Sequence, residues 1–330
     1  MSQPQPPTIT PEYFATRFTE IADNIERVIR GKRDIIELAL TCLLAEGHLL
    51  IEDVPGVGKT MLARSLAASI DGRLQRIQFT PDLLPSDVTG VSIYNPANGA
   101  FQFHPGPVFA NILHGDEINR ASPKTQSALL EVMEERRVTV DGRPQPVPRP
   151  FMVIATQNPI DMSGTYPLPE AQLDRFLMRL SVGYPDHASE VSVLMGTATG
   201  SGSLVEGLSA VSAAAEIGQL IAFASNIYVA PSLYDYIVEL VAATRVAAGV
   251  RLGASPRASV ALLRAARARA VADSRGYVTP ADVKALAVPV LSHRIVLTPE
   301  AELRGRTAAE VVEETMAGVP VPQTATVARS

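Results

Sequence analysis

The sequence predicts an α/β fold, a doubly wound parallel sheet with flanking helices, followed by an all-helical domain. Three observations carry this. Short apolar runs of strand length alternate with helical patterns up to about residue 185. The segment PGVGKT at 55–60 joins one such run directly to a helix. From about residue 205 only helical patterns remain.

Residues 1–10, MSQPQPPTIT, are Pro/Gln-rich and read as a flexible N-terminus without the basic and apolar regions of a signal peptide. Thr10 is placed to cap a helix and Pro11 to begin it. Phe14, Phe18, Ile21, Ile25 and Val28 recur at helical spacing, so 11–29 is an amphipathic helix. Gly31 breaks it, and Asp34 opens a second helix ending near Glu46-Gly47. His48–Glu52 is a short strand, and the helix after the next loop reaches about Ile70.

Buried-strand runs recur at Leu74–Phe79, Phe109–Leu113, Phe151–Ala155 and Leu180–Val182. Pro123–Arg136 is helical, with Leu129, Leu130 and Met133 on one face. Two insertions interrupt the alternation. Residues 88–108 read as a hairpin of Val91–Tyr94 and Phe101–Phe103 around a turn at Asn95–Gly99. Residues 137–150 read as a second, turning at Asp141-Gly142. The α/β core thus spans 11–186. A stretch at 187–204, containing GTATGSGS, is a hinge or loop. Helices follow over 205–317: one into 225, then Pro231–Ala248, Pro256–Asp273 and one from Thr279-Pro280 onward. Residues 318–330 form a flexible C-terminus.

Composition narrows the function classes. The chain has 330 residues, 46% of them hydrophobic, enough for a packed core and a satellite. A net charge of −5 argues against a protein that coats nucleic acid. The single cysteine, Cys42, lies in an apolar run and excludes a disulfide framework, which fits a reducing, cytoplasmic setting. The histidines are scattered without metal-cage spacing. No apolar run approaches the ~18–20 residues that span a bilayer.

The strand–PGVGKT–helix context is that of a phosphate-binding P-loop. Its residues are Asp53, Val54, Pro55, Gly56, Val57, Gly58, Lys59, Thr60 and Met61. Glycines let backbone N–H groups converge on the β- and γ-phosphates of a nucleotide, helped by the positive end of the helix that follows. Lys59 reaches the phosphate oxygens, and the Thr60 hydroxyl holds Mg²⁺. The motif expects glycine at 53, where this chain has aspartate. Two roles fit Asp53: it points away and caps the turn, or it weakens nucleotide affinity.

Asp116 and Glu117 follow the run Phe109–Leu113, at the strand ends where α/β sheets bind ligands. Asp116 is placed to hold Mg²⁺ and Glu117 to polarise the water that attacks the γ-phosphate of ATP. Asn158, in ATQNP, either orients that water or makes an Asx turn before Pro159. Arg257 stands at a helix start, where a cation opposes the macrodipole and needs an anion; a bound phosphate and plain solvation both fit. Arg175 lies in EAQLDRF.

EDVPGVGKTMLARSLA, DEINRASPKTQSALLEVMEERRVTVDG, ATQNP, LPEAQLDRF and GASPRA together resemble the MoxR family of AAA+ ATPases, over about residues 10–317. The resemblance implies a P-loop AAA+ core with a helical lid domain, ATP and Mg²⁺ as cofactors, and a homo-oligomer, usually a hexameric ring with ATP between subunits. It implies Asn158 as sensor 1, Arg257 as sensor 2 acting within its own chain, and Arg175 as a finger for the neighbour's nucleotide. Val28–Arg33, with Gly31, would line the adenine. The family's work is chaperone-like assembly, remodelling or metal insertion, often with von Willebrand factor A domain partners. The expected activity is hydrolysis of ATP to ADP and phosphate, with no nucleic acid bound. A nucleic-acid motor, a chelatase-type subunit and a nucleotide-gated binding module are the competing readings. His114-Gly115 departs from the apolar or small residues usual before the acidic pair; His114 either shifts the local pH response or faces solvent.

Overall fold

The computed structural model describes residues 9–322 except 98, 159–164, 186, 189 and 192–204. Most of the expected hinge at 187–204 therefore lies outside the described residues, as do most of the two termini.

Helix α1 (Pro11–Glu26) starts as expected: the Thr10 hydroxyl accepts from the Tyr13 N–H at 3.2 Å. It ends three residues earlier than its periodicity suggests, and Gly31, at φ 68°, turns the chain into α2 (Arg33–Leu44). Strand β1 (Leu49–Glu52), α3 (Lys59–Ser69) and β2 (Leu74–Gln78) follow. The first insertion is a short α4 (Pro85–Thr89) and the hairpin β3 (Gly90–Asn95)–β4 (Ala100–Pro105). Then come β5 (Ile112–Asp116) and α5 (Pro123–Glu135), and the second hairpin, β6 (Arg137–Val140)–β7 (Arg143–Pro146). Strand β8 (Met152–Gln157), α6 (Glu170–Leu173) and β9 (Met178–Leu180) complete this half.

Five strands form one parallel sheet in the order β2-β5-β8-β1-β9. Alternate residues feed two cores. Leu49 and Ile51 of β1 join one buried cluster with Ile112, Met152 and Ile154, while Leu50 joins the other with Leu113, Val153 and Ala155. Helices therefore cover both faces, and the sheet carries functional side chains only at its ends.

Two strands differ from expectation. β5 lies at 112–116, not 109–113, so Asp116 is the last strand residue. Phe109 packs on Phe103 of β4, ring centroids 5.5 Å apart, instead of entering the sheet. β9 lies at 178–180 rather than 180–182.

The C-terminal part contains α7 (Ala214–Ser225), α8 (Pro231–Thr244), α9 (Pro256–Ala272), α10 (Pro280–Leu291), α11 (Pro299–Leu303) and α12 (Ala308–Gly318). The expectation of a purely helical domain needs one correction. β10 (Val250–Leu252) and β11 (Val296–Leu297) form a small antiparallel pair, and Tyr228 bridges Tyr277. These pieces are too short to show a strand period. Helix α9 packs against α1 and α2, so the buried cluster runs unbroken from sheet to lid. Cys42 sits inside it, fully buried, which raises its thiol pKa. Among the described residues no helix is long and apolar enough to cross a membrane.

Candidate functional site

The chain leaves β1 at Glu52 and turns through Asp53–Gly58 into α3. Gly56 and Gly58 hold φ of 87° and 97°, a region that favours glycine, and a Cβ on either would meet no atom of the described residues within 4 Å. The loop is thus an open cradle. α3 has no side-chain cap and no acidic residue in its first turn, so its leading N–H groups suit an anion. The Lys59 ammonium donates to the Asp53 carbonyl at 2.7 Å. Burial lowers its pKa, against the pull of Asp53, Asp116 and Glu117.

Asp53 points away from the cradle. Its carboxylate accepts from the Val54 N–H at 2.9 Å, the Ser181 hydroxyl at 3.0 Å and the Gly183 N–H at 2.6 Å. Burial works to raise this carboxyl, but these hydrogen bonds outweigh it and hold it below the usual carboxylate range. Of the two roles open in the sequence, the geometry matches the turn-capping one.

Across the sheet, Asp116 and Glu117 stand at the end of β5. Thr156 of β8 ties them together: its hydroxyl donates to Asp116 Oδ1 at 2.7 Å and accepts from the Glu117 N–H at 2.9 Å. Glu117 is left-handed, at φ 56°. Two residues of the edge strand β2 face the acids. Arg76 pairs with Asp116 at 2.8 Å, and Gln78 donates to Glu117 Oε2 at 2.9 Å. Arg120 reaches the same Glu117 oxygen at 3.1 Å. Burial works to raise the Asp116 carboxyl, but Thr156 and Arg76 hold it below its ordinary value.

Sequence reasoning missed Thr156, Arg76 and Gln78. No local pattern marks them, because strand register alone brings them to the acids. Asn158 follows Gln157, whose carbonyl accepts the Asp53 N–H at 3.2 Å, so Asn158 lies at the same end of the sheet as the loop. Gly115 is fixed by a close approach: a Cβ there would lie 2.9 Å from Phe79. His114 does not face solvent. It is fully buried, neither ring nitrogen has a hydrogen-bond partner among the described residues, and burial pushes it down to about 4 although Asp116 pulls the other way. It is neutral at neutral pH.

Beside the loop lies a largely apolar cavity of about 530 Å³. Val28, Ile29, Arg30 and Lys32 wall it from the α1–α2 turn that Gly31 makes, Val57 and Met61 from below, and Val182–Pro185 from the far side. Its character suits a purine base next to a phosphate cradle. Among the described residues no three His, Cys, Asp or Glu side chains gather as a metal cage. A magnesium ion needs none: it binds through one or two protein oxygens plus phosphates, and Thr60 and Asp116 fit that donor set.

The two arginines are elsewhere. Arg175 and Arg257 both line a cavity of about 420 Å³ with Gly47, His48 and Leu177, residues that precede β1 and β9. The strands are parallel, so this cavity is at the amino ends of the sheet and the P-loop at its carboxyl ends, roughly 13 Å of strand apart. Glu134 of α5 holds both cations, Arg175 at 2.7 Å and Arg257 at 2.9 Å. The anion that the helix start required is therefore a protein carboxylate. Two residues of the lid, Ser255 and Arg294, anchor it here. Ser255, the cap of α9, donates to Asp174 at 2.7 Å. Arg294, its side chain only 3% exposed, also pairs with Asp174 at 2.7 Å and donates to the carbonyls of Phe176 and Leu177. Within one chain, Arg257 is not brought to the phosphate loop, contrary to the expectation of a same-chain sensor.

Comparison with known proteins agrees with this architecture. Residues 48–178 match the family described as ATPase family associated with various cellular activities (AAA), and 242–315 match an AAA lid domain. The chain is 53% identical to the uncharacterized protein YeaC of Bacillus subtilis over 300 residues, 91% of this chain and 93% of that one. It is 43% identical to Chaperone MoxR1 of Mycobacterium tuberculosis over 308 residues, 91% of this chain and 81% of that one. A crystal structure of a Cytophaga hutchinsonii protein assigned as an ATPase superposes with a TM-score of 0.88 at 38% identity, covering 95% of this chain and 97% of that one. The AAA and lid matches together with 43% identity to a MoxR chaperone over 91% of this chain show that the chain belongs to the MoxR family of AAA+ ATPases.

Proposed function

We propose that this chain binds ATP with Mg²⁺, hydrolyses it to ADP and phosphate in a ring of identical subunits, and uses the cycle to remodel or assemble partner complexes. The supporting observation is the division of the machinery: cradle and acids at one end of the sheet, arginines at the other.

Gly56–Thr60 and the start of α3 hold the phosphates, with Lys59 leaving the Asp53 carbonyl for them. Thr60 and Asp116 hold Mg²⁺, which neutralises phosphate charge when bound. Glu117 takes a proton from the attacking water, and Asn158 orients that water. Arg175 stabilises the charge that develops on the γ-phosphate of the neighbouring subunit's ATP. Arg257, standing beside it, serves the same nucleotide rather than its own. A hexamer is the ring expected, with a von Willebrand factor A domain protein as partner. The name of the mycobacterial relative, a chaperone, supports the remodelling reading.

Glu117→Gln should bind ATP, release phosphate slowly and retain a partner in an ATP-dependent way. Identical recoveries with and without ATP sink the remodelling reading. Arg175→Ala should abolish turnover and spare nucleotide binding. Mixed equally with Lys59→Ala subunits, it leaves about one interface in four with both an intact loop and an intact finger, so about a quarter of the activity returns. No rescue in mixed rings shown to form overturns the finger.

A further inference from the structure

The aspartate that replaces the first glycine of the phosphate motif has more partners than a turn cap needs. One of its oxygens caps the loop at Val54. The other leaves the loop and takes two donors, Ser181 Oγ and Gly183 N, from the segment just after β9. Gly183 is left-handed, at φ 65°, a region that favours glycine. The next residue is held from the opposite side, where the Lys32 ammonium donates to the Tyr184 carbonyl at 2.9 Å. Val182, Gly183, Tyr184 and Pro185 form the far wall of the apolar cavity beside the cradle. Val182 is buried in the main core, but Tyr184 is 74% exposed, so packing fixes only the start of this wall. Two charged side chains hold the rest: Asp53 from the phosphate loop and Lys32 from the α1–α2 turn.

We propose that Asp53 is a positioning residue that sets nucleoside affinity: it fastens the 181–185 segment to the phosphate loop, so that the base cavity is already shaped when a nucleotide arrives. A wall that is ordered beforehand loses less entropy on binding. The carboxylate itself stays out of the cradle, where it would repel phosphate. A glycine at this position leaves the cradle intact and removes the wall's tie to the phosphate loop. The effect is thus confined to ligands that carry a base. Inorganic triphosphate, which uses the cradle alone, is indifferent to it.

The inference rests on the ATP reading, and the test separates the two. Amide exchange is followed across 181–185 in nucleotide-free wild type, Asp53→Gly and Ser181→Ala. The affinities of ATP and inorganic triphosphate are measured for each by calorimetry. In Asp53→Gly the segment should exchange faster and ATP should bind about tenfold more weakly, with triphosphate changed less than about twofold. Ser181→Ala, which leaves the loop untouched, should shift both readings in the same direction by less, and stands in if the glycine variant does not fold. Unchanged exchange, or ATP and triphosphate weakening in parallel, overturns the role given to Asp53. Wild type that binds neither compound overturns the ATP reading itself.

Discussion

Acid should weaken this fold through His48, and the size of the effect can be worked from its surroundings. The ring lies under the amino end of the sheet. Nδ1 accepts the Val153 N–H at 2.9 Å, and Nε2 donates to the Met133 carbonyl at 3.1 Å. Those bonds require the neutral ring protonated on Nε2. Burial, with Arg136 adding to it, pushes the group down to about 3 from its ordinary 6.5. The unfolded chain takes up a proton below 6.5 and the folded chain does not until about 3. The contribution is therefore fully present above 6.5 and is lost as the pH falls toward 3. Between pH 7 and pH 5 this single site removes about 2 kcal/mol of stability. His48→Gln supplies a donor and an acceptor of similar reach without a titrating ring. Urea unfolding followed by circular dichroism at pH 7, 6 and 5 gives the slope for both proteins. The variant should be less stable at pH 7 yet lose about 2 kcal/mol less on acidification. Equal slopes refute the reasoning, because every other titrating group is common to both.

Three further outcomes follow from the site. Thr156→Val keeps the shape but strands the Glu117 N–H and removes one of the two partners of Asp116, so stability should fall by about 1–3 kcal/mol and phosphate release at least tenfold, read by thermal melting and a phosphate assay. Gln78→Ala removes one partner from the Glu117 carboxylate; a bond of about 0.5–1 kcal/mol there corresponds to a two- to fivefold rise in basal turnover, with ATP affinity unchanged in a binding titration. Gly115→Ala drives a methyl into Phe79 and should cost about 1–3 kcal/mol in denaturant unfolding.

The two-faced sheet was legible because its strands are nearly continuous apolar runs, and the P-loop because glycine and lysine sit between a strand and a helix. Strand ends were less so. Phe109 and Ala110 look like β5 but pack outside the sheet, whereas His114-Gly115-Asp116 look like a polar turn and lie within the strand. The sequence shows that Arg257 needs an anion but not which one, since Glu134 is more than a hundred residues away. Thr156, Arg76 and Gln78 join the acids only through strand register, which no local pattern reveals. The lid's small strands are shorter than any period that could announce them.

The placement of loop and arginines at opposite ends of the sheet has a geometric consequence. In the ring proposed above, where one copy's arginines complete the next copy's loop, copies join head to tail. A row of such copies always ends with one loop lacking arginines and one arginine pair lacking a loop. Every added copy repairs one end and exposes another. Only closing the row into a circle leaves no unfinished site, and the last contact made then completes two subunits at once.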